Sequence, residues 1–188
     1  MKYLVPIVCF LFVSVSYAQD TKFSVTLSYP LPIDKNFIGE NYTGVADMGV
    51  QYRFVDTGIV KIGASANGSY LVFDNDLVPQ SSTVKALFIQ PGIFGALHLP
   101  GLQKITPSLG IGYTFVNFRA NSFLLDSADL NQNQSGFNAN AGLSINFSSR
   151  FFALLHYDII KLSPVDGAPD LKFNTNINLL KIGVGFRF

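Results

Sequence analysis

Charge is scarce in this chain. Only 13% of its 188 residues are Asp, Glu, Lys or Arg, although hydrophobic residues stand at an ordinary 48%; soluble domains carry about 25% charged residues. Glutamate occurs once, as Glu40, and tryptophan not at all. Cysteine also occurs once, as Cys9, which rules out an intrachain disulfide and a cysteine-ligated metal cluster. The formal net charge of +1 leaves no electrostatic footprint for nucleic acid. No phosphate-cradling loop and no metal-ligand spacing is present, so no cofactor is expected. The longest apolar run, Leu4 to Val15, is too short for a helix across a bilayer, which needs about 20 residues.

That run has a different reading. Lys2 precedes it, and Ser16-Tyr17-Ala18 follows with small residues at the −3 and −1 positions of a signal-peptidase site. Residues 1–18 are therefore expected to be a cleaved signal peptide and 19–188 a single domain. Cys9 lies in the middle of the run, away from any lipidation site, and cleavage would remove it.

What the chain has in quantity is Phe (18), Gly (16) and Tyr (8), arranged with a period of two. Phe23, Val25, Leu27 and Tyr29 alternate with Ser24, Thr26 and Ser28. Met48, Val50, Tyr52 and Phe54 alternate with Asp47, Gly49, Gln51 and Arg53. Residues 137–147 are the cleanest case, with Phe, Ala, Leu and Ile on one side and Asn, Gly and Ser on the other. Such alternation predicts strands with two unlike faces. Eight such segments follow, of which those near Val84–Leu97 and Phe151–Leu162 alternate poorly. Pro91 in the fourth suggests a bulge or a sheet edge, because proline cannot donate to a ladder. Connections alternate between short (Asp56-Thr57, Leu99–Gln103, Ser148-Ser149) and long (Pro30–Gly44, Phe73–Ser82, Arg119–Ser135, Ser163–Phe173), which puts the long ones at one end and both termini at the other.

The pattern predicts an all-β, eight-stranded, antiparallel up-and-down transmembrane barrel. A soluble lipocalin-like barrel alternates too, but with its apolar face inward and a charged exterior. Here the polar face is mostly Ser, Thr, Asn and Gly, which suits the narrow inside of an eight-stranded barrel. Aromatics also gather at strand ends, as interfacial girdles do. Phe23, Phe54, Phe147, Phe151 and Phe188 fall at the turn end; Tyr29, Tyr70, Phe118 and Phe137 fall at the loop end.

The last segment, with Leu180, Ile182, Val184, Phe186 and Phe188 on one face, completes a resemblance to the small OmpA/OmpX-like outer-membrane β-barrel proteins. The resemblance covers residues 19–188 and is architectural. It implies the outer membrane of a Gram-negative bacterium, contact with its lipid and glycolipid, and a final strand that serves as an assembly signal for the barrel-assembly machinery. It transfers no catalytic residue.

Lys22, Asp47, Arg53, Lys61, Asp158, Lys181 and Arg187 fall on the inward face and are expected to form a buried polar network of ion pairs, because isolated charges there are costly. Acidic residues collect in the long loops (Asp34, Glu40, Asp74, Asp76, Asp126, Asp129, Asp166 and Asp170), a weak signal for divalent cations. His156 and Asp158 share a strand face at i+2, the spacing at which a carboxylate orients an imidazole. They are the weak catalytic candidates for a lipid A-modifying enzyme, with Ser122, Ser127 and Ser163 as possible nucleophiles; His98 falls in a short turn. The first expectation is a non-enzymatic barrel with a structural, adhesive or assembly-subunit role through its loops, with a protein partner among the possibilities. A small-solute or hydrophobic-molecule conduit comes second and the enzyme third.

Overall fold

Apolar and small polar side chains at alternate positions need a sheet whose faces meet different surroundings, and this chain builds one that closes on itself. The computed structural model describes residues 22–73, 84–102, 104–120, 130–164 and 171–188. Its strands are β1 (Phe23–Ile33), β2 (Thr43–Asp56), β3 (Val60–Phe73), β4 (Val84–Leu97), β5 (Ile105–Ala120), β6 (Leu130–Asn146), β7 (Phe151–Leu162) and β8 (Asn176–Arg187). Each pairs antiparallel with its sequence neighbour, and β1 pairs with β8 from Ser24↔Arg187 to Ile33↔Asn178. The result is a closed up-and-down barrel with no free sheet edge. Two short helices, α1 (Phe37–Asn41) and α2 (Lys172–Thr175), lie in the β1–β2 and β7–β8 connections. Among the described residues no helix is long and apolar enough to cross a membrane.

The outer face is apolar. Leu27, Met48, Val50, Ile93, Ile111, Ile182 and Val184 are exposed, and Leu109 and Phe137 reach 69% and 75%. So continuous an apolar surface is incompatible with water and fits a lipid bilayer, inside which a closed barrel satisfies every backbone group. At the turn end, Phe23, Phe151, Phe186 and Phe188 form edge and tilted ring contacts with centroids 4.8–5.8 Å apart.

Several expectations need correction. Pro91 marks neither a bulge nor an edge: β4 keeps one register against β3 throughout, and only its pairing with β5 is interrupted, between Ile89 and Gly92. The register shifts lie instead between β2 and β3, at Gly44/Ala46 and Arg53/Val55. The connection expected over Arg119–Ser135 is strand at both its ends, because β5 runs to Ala120 and β6 starts at Leu130. There a side-chain ladder overrides the low strand propensity of asparagine: Asn117 Nδ2 donates to Asn131 and Asn133, and Arg119 Nε donates to Asn117. Phe118 does not join the girdle; it packs inward against the core. The proposed signal segment, Ser122, Ser127 and the acidic residues Asp74, Asp76, Asp126, Asp129, Asp166 and Asp170 lie outside the described residues.

The inner face is not uniformly polar, and this explains the poor alternation of β4 and β7. At the loop end, inward-facing Leu71, Ala86, Phe88, Val116, Ile160, Leu162, Ile177 and Leu179 form an apolar core. The helix α1 folds down onto it, burying Ile38 and, at its C-cap, Tyr42. Asn36 caps α1 by accepting a hydrogen bond from the Gly39 amide at 2.8 Å. The inner faces of β4 and β7 are therefore apolar near the loops and polar at mid-barrel, and a single period cannot describe both.

Candidate functional site: the lumen and its turn-end mouth

Below the apolar core, a polar belt engages all eight strands. Lys181 of β8 sits at its centre, 2% exposed, with Nζ 2.9 Å from both Asp47 of β2 and Asp158 of β7. Nζ also donates to Gln90 Oε1 of β4 at 2.8 Å. Asp47 accepts from Ser28 of β1 at 2.7 Å and from Ser69 of β3 at 2.5 Å. The belt extends through Thr114 of β5, whose hydroxyl accepts from Gln90 Nε2 at 3.4 Å and from Asn138 Nδ2 of β6 at 2.8 Å. A lysine fully withdrawn from water is tolerable only with this density of partners. The remaining space beside the belt is about 30 Å³, enough for about two waters.

Of the seven residues expected in one lumen network, the structure brings Asp47, Asp158 and Lys181 together here. Arg53, Lys61 and Arg187 form a separate group at the turn-end mouth. Lys22 is exposed just ahead of β1, where its carbonyl accepts from the Arg53 amide at 2.8 Å. Ser28, Ser69, Gln90, Thr114 and Asn138 were not singled out from the sequence, although Gln90 is the one uncharged polar side chain in Val84–Leu97. That isolation was the available signal.

At the mouth, Lys61 pairs with Asp56 at 3.0 Å. Arg187 is buried with its guanidinium carbon 4.1 Å from the centre of the Phe152 ring, a cation–π contact. His98, just past β4, donates its amide to Ile59 at 2.7 Å. Burial first, then Lys61, Arg187 and Arg53, push the His98 imidazole below its ordinary pKa. At the opposite end, burial against the apolar core pushes the Tyr42 phenol up to about 12.

The catalytic candidates do meet: His156 Nε2 lies 3.4 Å from Asp158 Oδ1. Both side chains face the lumen, and Asp158 is already engaged by Lys181. No serine hydroxyl among the described residues hydrogen-bonds to His156, and Ser163 lies exposed at the loop end. A nucleophile–base–acid relay is therefore not assembled from these residues. No group of metal-ligating side chains is present among the described residues.

A closed eight-stranded barrel with an apolar exterior and a packed lumen defines the class: the fold of the small outer-membrane β-barrels. Solved structures agree. The chain is similar to Ail, the attachment invasion locus protein of Yersinia pestis, solved in complex with the heparin analogue sucrose octasulfate. The TM-score is 0.60 at 12% identity, over 89% of this chain and 97% of that one. It is similar to Neisserial surface protein A (0.60, 15% identity, 88% and 97%). It is also similar to the outer membrane protein W of E. coli (0.50, 12% identity, 89% and 97%). No family model matches the chain, and no curated protein matches it. At these identities the likeness is one of fold.

Proposed function

We propose that the protein is an integral outer-membrane barrel with a closed lumen, acting through its long-loop surface as a structural, adhesive or assembly subunit. The observation that carries this reading is the double closure of the lumen. The apolar core under α1 excludes water at one level, and the Lys181 belt fills the cross-section at another. An ion would have to break both. The similarity to Ail, the attachment invasion locus protein of Yersinia pestis, supports work at the loops rather than transport through the centre. Its surroundings in this reading are outer-membrane lipid and glycolipid, with the barrel-assembly machinery as a transient partner during insertion and a loop-binding protein as a lasting one.

The test is electrical. Folded protein, identified by its slower or faster gel migration before boiling, is added to a planar lipid bilayer in 1 M salt, a condition chosen to screen surface charge. The expected record is flat. Stepwise conductance from the unmodified barrel would overturn the closed-lumen reading and bring the conduit forward.

A further inference from the structure

The turn-end mouth carries a charge that a loop-borne role does not use. Arg53 from β2, Lys61 from β3, Lys104 ahead of β5 and Arg187 from β8 line one cavity of about 350 Å³, with His98 beside them. None of the described residues lining it is acidic. Asp56 stands at its edge, half exposed and paired with Lys61. Four cationic side chains thus converge, one each from β2, β3 and β8 and one from just ahead of β5. Convergence of this kind in a cleft with low-dielectric walls focuses a positive potential.

Two further observations belong to the same cavity. The His98 imidazole is disfavoured as a cation first by burial and then by Lys61, Arg187 and Arg53, with Asp56 the opposing influence. Its Nδ1 is buried with no hydrogen-bond partner. Arg187 is also buried and stacked over Phe152, whose ring covers Gly185 so closely that an added Cβ there would meet ring carbons at 2.6 Å. A guanidinium held in place offers a planar fork matched to an oxyanion.

We propose that this mouth binds a phosphate-type oxyanion, the chemistry shared by an anionic lipid headgroup and free phosphate. The bound anion neutralises the converging cations. The cavity is large enough for a phosphate bearing a substituent, and it opens at the level where the aromatic girdle of the turn end meets the headgroups.

The experiment uses the full barrel in nanodiscs of neutral phosphatidylcholine, with carbon-13 histidine and the His98 signal assigned by its survival in His156→Gln. Inorganic phosphate is titrated in, against chloride at equal ionic strength. An anion next to the imidazole favours its charged form, so the His98 pKa rises by about one unit with phosphate and not with chloride. Lys104→Gln, at an exposed position, and Arg187→Gln each weaken the apparent phosphate affinity by about fivefold; their gel shift on boiling verifies that they fold. An equal response to chloride, or unchanged phosphate affinity in both variants, would overturn the proposal. Nanodiscs containing phosphatidylglycerol separate the sources. A raised His98 pKa without added phosphate assigns the site to a lipid headgroup, and a rise only with added phosphate assigns it to a soluble anion.

Discussion

Lys181 is the residue on which the lumen turns. It bridges two carboxylates from β2 and β7 and donates to a third strand through Gln90. Its replacement by methionine leaves Asp47 and Asp158 facing each other with no cation between them, and breaking a buried pair in this way costs about 3–5 kcal/mol. Lys181→Met is therefore expected to lower the urea midpoint of the detergent-folded barrel markedly. The triple change Lys181→Met, Asp47→Asn, Asp158→Asn should recover much of the loss by removing the charges together. A Lys181→Met barrel as stable as the wild type would refute the central role of the belt. From the sequence, Lys181, Asp47 and Asp158 could be placed on inward faces by period alone. That they meet, while Arg53, Lys61 and Arg187 group elsewhere, depends on how far along its strand each one lies relative to strands distant in sequence.

Among the elements, α1 departs most from a plain barrel. Five residues of helix capped by Asn36 carry Ile38 and Tyr42 into the loop-end opening. The Tyr42 phenol is held neutral by burial, with its pKa raised from 10.0 to about 12. A neutral acid favoured by the fold stabilises it fully below the unfolded-state pKa, and that contribution is lost as pH rises from about 10 through about 12. Thermal unfolding followed between pH 8 and pH 11.5, a range spanning the free phenol's pKa of about 10, should show a decline above pH 10. Tyr42→Phe should lack that decline. Parallel curves for the two proteins would place Tyr42 outside the apolar core. The connection holding α1 reads as a polar loop because its apolar residues, Phe37, Ile38 and Tyr42, follow no strand period. The long β5–β6 hairpin was hidden for the opposite reason: its Asn- and Gln-rich ends have the composition of a loop, and only cross-strand pairing holds them extended.

For the whole molecule, closure is the decisive event, and it joins the first strand to the last. Phe188 continues the β1–β8 seam, donating its amide to Phe23 at 2.9 Å and packing against both Phe23 and Phe186. Deleting Phe188 removes the ring from the turn-end girdle and a hydrogen bond from the seam. The expected outcome is a reduced fraction of heat-shifting, membrane-inserted protein in isolated outer membranes at equal synthesis; an unchanged fraction would remove the last residue from the assembly argument. The sequence by itself determined the class: strand number, antiparallel order, the apolar outer face and the separation of long from short connections all follow from a period of two and from turn residues, which act locally. Only the tertiary structure decided that the inner face is layered, with an apolar core under α1, a lysine-centred belt at mid-barrel and a basic mouth at the turn end. Height along the barrel axis is set by register between strands, and each layer gathers residues from strands far apart in sequence, so no local stretch of sequence contains it.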